Sequence, residues 1–229
     1  MVYYRDMKKL SPINFADIIA YPAGLIVIRE LPAAGGIERR VILSYDTQSD
    51  AVTPVPEQVY LSNKFGETAD NIAAFMDDPT LCDSSLLPGG RVFAMFPTGE
   101  CAMFGDGGAL ISSGALLYRD TPVSSCCFDG KYIWTCAPEQ NVILAYRTTP
   151  IRLAMRIGSV KSADFRVPVT VRHYDGHLFV CCEESRRIIK VNTRDLTAGV
   201  YKTFREPVYN YLRVDDAEFV VLKSGLYKL

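Results

Sequence analysis

The sequence predicts an all-β fold: a β-propeller of about five four-stranded blades, closed by an N-terminal strand, with a short helical insertion between blades one and two. Three observations predict it. A proline-to-Asp-Gly unit recurs along the chain. Each copy is followed by two apolar runs separated by a polar stretch. The final copy holds only three strands, and the N-terminus offers a fourth. A period of roughly 40 residues that builds one small sheet cannot bury both of its faces alone, so each sheet needs a neighbour on either side.

The repeat is clearest in PVSSCCFDG at 122–130 and PVTVRHYDG at 168–176. Proline at the start of a strand costs no ladder bond. Asp-Gly supplies the positive φ angles of a tight hairpin. The runs Tyr132–Trp134 and Leu178–Val180 follow these turns. The polar stretches Pro138–Asn141 and Glu183–Arg187 come next, then Val142–Tyr146 and Ile188–Val191. Such β-branched and aromatic runs suit half-buried strands. Both copies close on threonine, at Thr148 and Thr193.

A further copy starts at Pro207-Val208, passes Asp215-Asp216 and ends on Leu226–Leu229. Upstream, Gly89-Gly90, Val92–Met95 and Ala102–Phe104 form another, with Gly105–Gly108 read as a turn. The first copy runs from Ala23-Gly24 through Leu25–Ile28, a long loop over Pro32–Arg40, and Val41–Thr47. The turn glycines fall at 24, 90, 130 and 176, so the spacings are 66, 40 and 46 residues. The surplus in the first interval marks an insertion at about 48–88, with a short helix from Thr68 stopped by Pro79; a degenerate sixth blade is the alternative. The run Val2–Arg5 is assigned to the missing outer strand of the last blade. The whole chain, 1–229, reads as one domain.

Proline, strand, Asp-Gly turn, strand, polar loop, strand and a closing Asp/Asn-Thr turn together resemble the blade of NHL-type and related propellers. The resemblance covers 89–229 and, more loosely, 12–47. It concerns the fold. Some relatives of that kind are lactonases, which hold a divalent metal through carboxylate and amide side chains in the central channel. Others are streptogramin lyases, which depend on histidine at the channel mouth.

Composition bounds the function. A formal charge of −1 gives no general attraction to nucleic acid or anionic lipid. It hides an asymmetry: residues 1–121 carry 9 basic and 15 acidic side chains, and residues 122–229 carry 16 and 11. The basic residues Arg152, Arg156, Lys161, Arg166, Arg172, Arg186 and Arg187 are scattered among apolar ones, as in a docking half rather than a patch. No apolar run reaches the roughly 20 residues of a membrane span, because Asp17 and Pro22 interrupt Ile13–Ile28. The N-terminus lacks the order of a secretion signal, so a cytoplasmic protein is expected. Seven cysteines, two pairs of them adjacent, suit free buried thiols better than a disulfide framework.

Chemical motifs are sparse. His173 and His177 flank the Asp175-Gly176 turn and are read as solvated, with a metal held by both and Asp175 as the alternative. Asp77, Asp78 and Asp83 read as an acidic loop, and Trp134 as core packing. The loops after the second strand of each blade present Glu100, then Glu139 and Asn141, then Glu183, Glu184 and Arg186 on one face of the ring. These six are the candidate partner-binding residues. No catalytic residue, metal ligand or cofactor is assigned. The expected function is a non-catalytic binding module for a protein or small polar ligand. The alternatives are a carboxylate- or metal-dependent lactonase-like hydrolase or lyase with its site in the channel, and a structural subunit of a larger assembly.

Overall fold

The computed structural model describes residues 7–12, 15, 17–21, 24–34, 37–49, 51–75, 78–158 and 164–229. The expected strand Val2–Arg5, and also Asp77 and Lys161, lie outside the described residues.

Strand β1 (Lys8–Ser11) precedes blade I, which comprises β2 (Asp17–Tyr21), β3 (Gly24–Ala34), β4 (Ile37–Tyr45) and β5 (Val52–Pro54). Helices α1 (Glu57–Phe65) and α2 (Ala69–Phe75) follow. Blade II is β6 (Asp83–Leu87), β7 (Arg91–Met95), β8 (Glu100–Phe104) and β9 (Leu110–Ala115). A small hairpin, β10 (Leu117–Tyr118) and β11 (Thr121–Pro122), leads into blade III: β12 (Ser124–Phe128), β13 (Ile133–Ala137), β14 (Val142–Thr148) and β15 (Ile151–Gly158). Blade IV is β16 (Pro168–Tyr174), β17 (His177–Cys182), β18 (Arg187–Asn192) and β19 (Ala198–Thr203). Blade V is β20 (Val208–Val214), β21 (Ala217–Leu222) and β22 (Gly225–Lys228), with β1 as its outer strand.

The five antiparallel four-stranded sheets form the expected propeller, and an N-terminal strand closes it. The described closing strand is Lys8–Ser11, paired with Leu226–Lys228. The Asp-Gly reading holds at Asp175 (φ 52°) and Gly176 (φ 72°), where Tyr174 pairs with His177 across a two-residue turn. Asp215-Asp216 likewise forms a two-residue turn in blade V, where Asp215 alone has positive φ (52°). In blade III the loop is longer, because Phe128 pairs with Ile133. There Asp129 accepts bonds from the Lys131 and Tyr132 amides and from the indole N–H of Trp134. Trp134 is fully buried, as expected of a packing residue.

Two boundaries differ from the expectation. The described residues of Pro32–Arg40 are strand: β3 and β4 continue to pair through them, with Leu31 opposite Arg39 and Ala34 opposite Ile37. The interval 48–88 is insertion only in its middle, since its ends supply β5 and β6.

Cores lie between adjacent blades. Phe93, Met95 and Met103 of blade II meet Ile133, Val142 and Leu144 of blade III. Between blades I and II the helices fill the gap: Tyr60, Leu61, Phe65 and Ile72 pack on Ile26, Ile28, Val92 and Phe104. The inner strands β6, β12, β16, β20 and β2 pack in that order around the ring, and α1 contacts both β2 and β6. The insertion is therefore a wedge that completes the circle.

All seven cysteines are free and buried within these cores. Burial pushes every thiol up, Cys101 to about 11 and Cys82 to about 12. Reactivity follows the thiolate. The native protein at pH 8 is therefore expected to show no fast-reacting thiol with a chromogenic disulfide reagent, and all seven after denaturation. A rapid first equivalent on the native protein would contradict this burial.

Candidate functional site

The first strand of each blade lines the central channel, and two of these strands begin with a carboxylate. Asp17 opens β2 and Asp83 opens β6. A buried carboxylate needs both a cation and hydrogen bonds. Asp83 receives both: Arg172 Nη1 at 2.7 Å, the Ser125 hydroxyl at 2.7 Å, the Cys126 amide at 3.0 Å and the Ser84 amide at 3.0 Å. Asp17 accepts from Lys64 Nζ at 2.7 Å, the Tyr60 hydroxyl at 2.7 Å, the Ile18 amide at 2.9 Å and Asn210 Nδ2 at 3.4 Å. Arg172 Nη2 stands 4.0 Å from Asp17, which joins the two halves. Two carboxylates thus face two cations in the middle of the ring.

Local geometry aims these groups. Strands β12, β16 and β20 each carry a register shift near their start, at 124–126, 168–170 and 208–210. A bulge re-aims side chains. Ser125 sits in the first of these with φ 54°. Its hydroxyl donates to Asp83 and accepts from the Val171 amide (3.1 Å) and Arg172 (3.2 Å), so one side chain ties blades II, III and IV. Lys64 and Tyr60 lie four apart on α1, and therefore on one helical face. Lys64 also donates to the Tyr60 hydroxyl at 2.7 Å.

The electrostatics follow. Burial pushes the Asp83 carboxyl up, but Arg172, Lys64 and the Ser125 bond outweigh it and hold the group below its ordinary range. Burial works against the Arg172 charge, and the Asp83 and Asp17 carboxylates more than restore it. Burial, then the Asp17 charge, pushes the Tyr60 phenol far up, so it stays a donor.

This cluster divides the channel. At the end where the inner strands start lies an upper cavity of about 410 Å³, lined by Thr80, Pro97, Ser124, Pro138, Thr170 and Asn210 as well as the ionic cluster. At the other end lies a lower cavity of about 320 Å³, reaching Asn63, Ser85, Phe128, His173, Tyr174 and Leu212.

No family model matches the sequence, and no curated protein matches it. Solved structures do match in shape. A virginiamycin B lyase from Staphylococcus aureus superposes with TM-score 0.53 at 7% identity, over 92% of this chain and 78% of that one. A streptogramin B lyase gives 0.54 at 11% identity, over 92% and 77%. Sqt1 from Saccharomyces cerevisiae gives 0.50 at 11% identity, over 90% and 66%. The chain shares the β-propeller fold with these proteins. At such identity the likeness concerns fold alone.

The sequence-predicted residues stand mostly at the rim of the upper face. Glu139 and Asn141 lie at the β13–β14 loop, and Glu183, Glu184 and Arg186 at the β17–β18 loop. Asn141 is left-handed (φ 54°), and its Oδ1 accepts the Val167 amide at 2.8 Å. Arg186 (φ 56°) donates to the Arg205 carbonyl at 3.1 Å, and Glu184 pairs with Arg166. Glu100 lines a separate outer cleft beside Phe75 and Phe96. None of the six lines either channel cavity.

The channel residues were overlooked as a group. Asp83 belongs to a strand, not to an acidic loop, and Arg172 belongs to the channel rather than to a basic docking half. His173 does not face His177: the register sets it opposite Leu178. It lines the lower cavity, and its Nε2 finds no hydrogen-bond partner among the described residues. Asp175 is bound to Arg213 at 2.8 Å. Among the described residues no three His, Cys, Asp or Glu side chains are grouped to hold a metal, and no helix is long and apolar enough to cross a membrane.

Proposed function

We propose that this protein is a non-catalytic propeller scaffold that recognises a protein or a small polar ligand on the upper face of its ring. One observation carries the reading: both carboxylates in the channel are already engaged by protein cations, Asp17 by Lys64 and Asp83 by Arg172. A divalent ion bound there would have to displace two partly buried cations and their hydrogen bonds. The channel reads as a rivet that fixes the blades, which leaves the upper cavity and its rim for recognition. The Ser124 and Thr170 hydroxyls donate to backbone carbonyls and so offer acceptor lone pairs to the upper cavity, which suits a polar ligand that donates hydrogen bonds and carries no net charge. The rim loops with Glu139, Glu183 and Glu184 suit a polar or basic protein surface.

Calcium is the discriminating probe. The melting temperature is expected to be the same with and without millimolar calcium chloride, a concentration at which even weak oxygen-ligand sites fill. A calcium-dependent rise that disappears in Asp17→Asn would instead favour the lactonase-like reading. Any protein recovered on the wild-type chain is expected to be lost on a Glu139→Lys/Glu183→Lys variant. Retention of every such partner would remove the upper rim from the proposal.

A further inference from the structure

The outer strand of a propeller blade leaves one row of N–H and C=O groups unpaired, which is a template for another chain. Four of the five outer strands here carry a device against that. β1 has Lys8 and Lys9, β5 has Pro54, β15 has Arg152 and Arg156, and β19 has Lys202. Strand β9 has none. Its sequence is LISSGA, without charge or proline, and all six residues are exposed.

The surroundings of β9 are also unlike those of a plain surface strand. A cleft lies on each face of the blade beside it. Towards the helical wedge is a cleft of about 590 Å³, lined by Phe75, Phe96, Thr98, Glu100 and Ser113. Towards blade III is one of about 450 Å³, lined by Met103, Ile111, Leu116 and Ile151, with Arg91 at its border. Successive side chains of an added strand point to opposite faces. One set would enter the first cleft and the alternate set the second. Main-chain bonds then give affinity and the two clefts give selectivity.

We propose that β9 is a β-augmentation site for an extended segment of another protein, in which basic side chains alternate with aliphatic ones. The basic side chains meet Glu100, which shares that cleft with a second carboxylate, Asp78. The aliphatic ones enter the Met103–Ile151 cleft, where Arg91 repels a misplaced cation and so fixes which face is which. This interaction is separate from recognition at the channel mouth.

The test uses fluorescein-labelled heptapeptides in which valine alternates with lysine, glutamate or threonine, titrated against the whole protein by anisotropy. The lysine peptide is expected to bind best, about tenfold or more over the glutamate peptide, as for a charge-selected site. Glu100→Lys is expected to invert that order. Ile111→Lys, which places a charge on the bare edge, is expected to weaken all three. Both positions are exposed, so the melting temperature of each variant should match the wild type. The proposal is overturned if no peptide binds, if the lysine preference survives Glu100→Lys, or if Ile111→Lys binds like the wild type. It is overturned too if sedimentation shows a wild-type dimer that Ile111→Lys dissociates, because the edge would then belong to a second copy.

Discussion

Arg172→Met is expected to destabilise the protein by about 3 kcal/mol at pH 7, the low end of the cost of leaving a buried carboxylate without its cation, because Asp83 is only partly buried. Arg172 touches Asp83 and Ser125 directly and stands 4.0 Å from Asp17, so its loss is felt in blades I to IV together. The pH dependence should change as well. In the wild type Asp83 titrates below its ordinary value of 3.8. Its contribution is therefore complete above about pH 4 and is lost as pH falls through the depressed value. Without Arg172 the largest remaining influence is burial, which pushes the carboxyl up. Part of the variant's deficit should then be relieved by mild acid, as Asp83 takes up a proton. Urea unfolding at pH 7 and pH 5 measures both effects: the gap between wild type and variant should narrow at pH 5. An Arg172→Met/Asp83→Leu double variant should regain much of the loss, since removing both charges removes the unmet cost. Equal stability of the single variant and the wild type would mean that the rivet contributes nothing.

The contrast between Arg172 and the Asp-Gly turns shows which part of the molecule was legible in the sequence. Asp175-Gly176 is a local device, because two adjacent residues with positive φ decide the hairpin by themselves. The proline-to-Asp-Gly pattern announced blades III and IV and a looser copy ending in Asp215-Asp216 announced blade V, although of these three only blade IV has positive φ at both turn residues. The first copy was harder, since the β3–β4 hairpin runs past the proline at 32 that reads as a strand end. Helix α1 was missed because its residues EQVYLSNKF show no sharp apolar stripe. A signal was present in its frame, with Pro56 just before the first turn and Gly66 (φ 61°) at the end. The channel cluster was invisible for a different reason. Residues 17, 64, 83 and 172 come from four distant segments, and only ring closure brings them together. A trace did exist: Asp17 interrupts an apolar stretch and Asp83 precedes another, and a charge at the head of an inner strand demands a partner.

Gly225→Val is expected to cost about 3 kcal/mol and to open the seam where the chain closes on itself. Gly225 has φ 139°, a conformation that L side chains rarely adopt. A Cβ there would stand 2.0 Å from the Ser11 carbonyl oxygen and 3.1 Å from Pro12 Cα. Neither is a flexible side-chain end, so β1 itself must move. Its ladder with β22 pairs Ser11 with Leu226, Lys9 with Tyr227 and Lys8 with Lys228. Those pairs hold the two ends of the ring together, and Leu10 packs on the core between blades V and I. Displacing β1 would expose the β22 edge and loosen that core. Amide exchange should show it locally, with faster exchange along Leu226–Lys228 and little change in β17. Gly199→Ala is the matched control, because Gly199 lies on another outer strand with open space where the Cβ would go. If both variants melt together and exchange alike, closure by β1 is not what keeps the five blades in a circle.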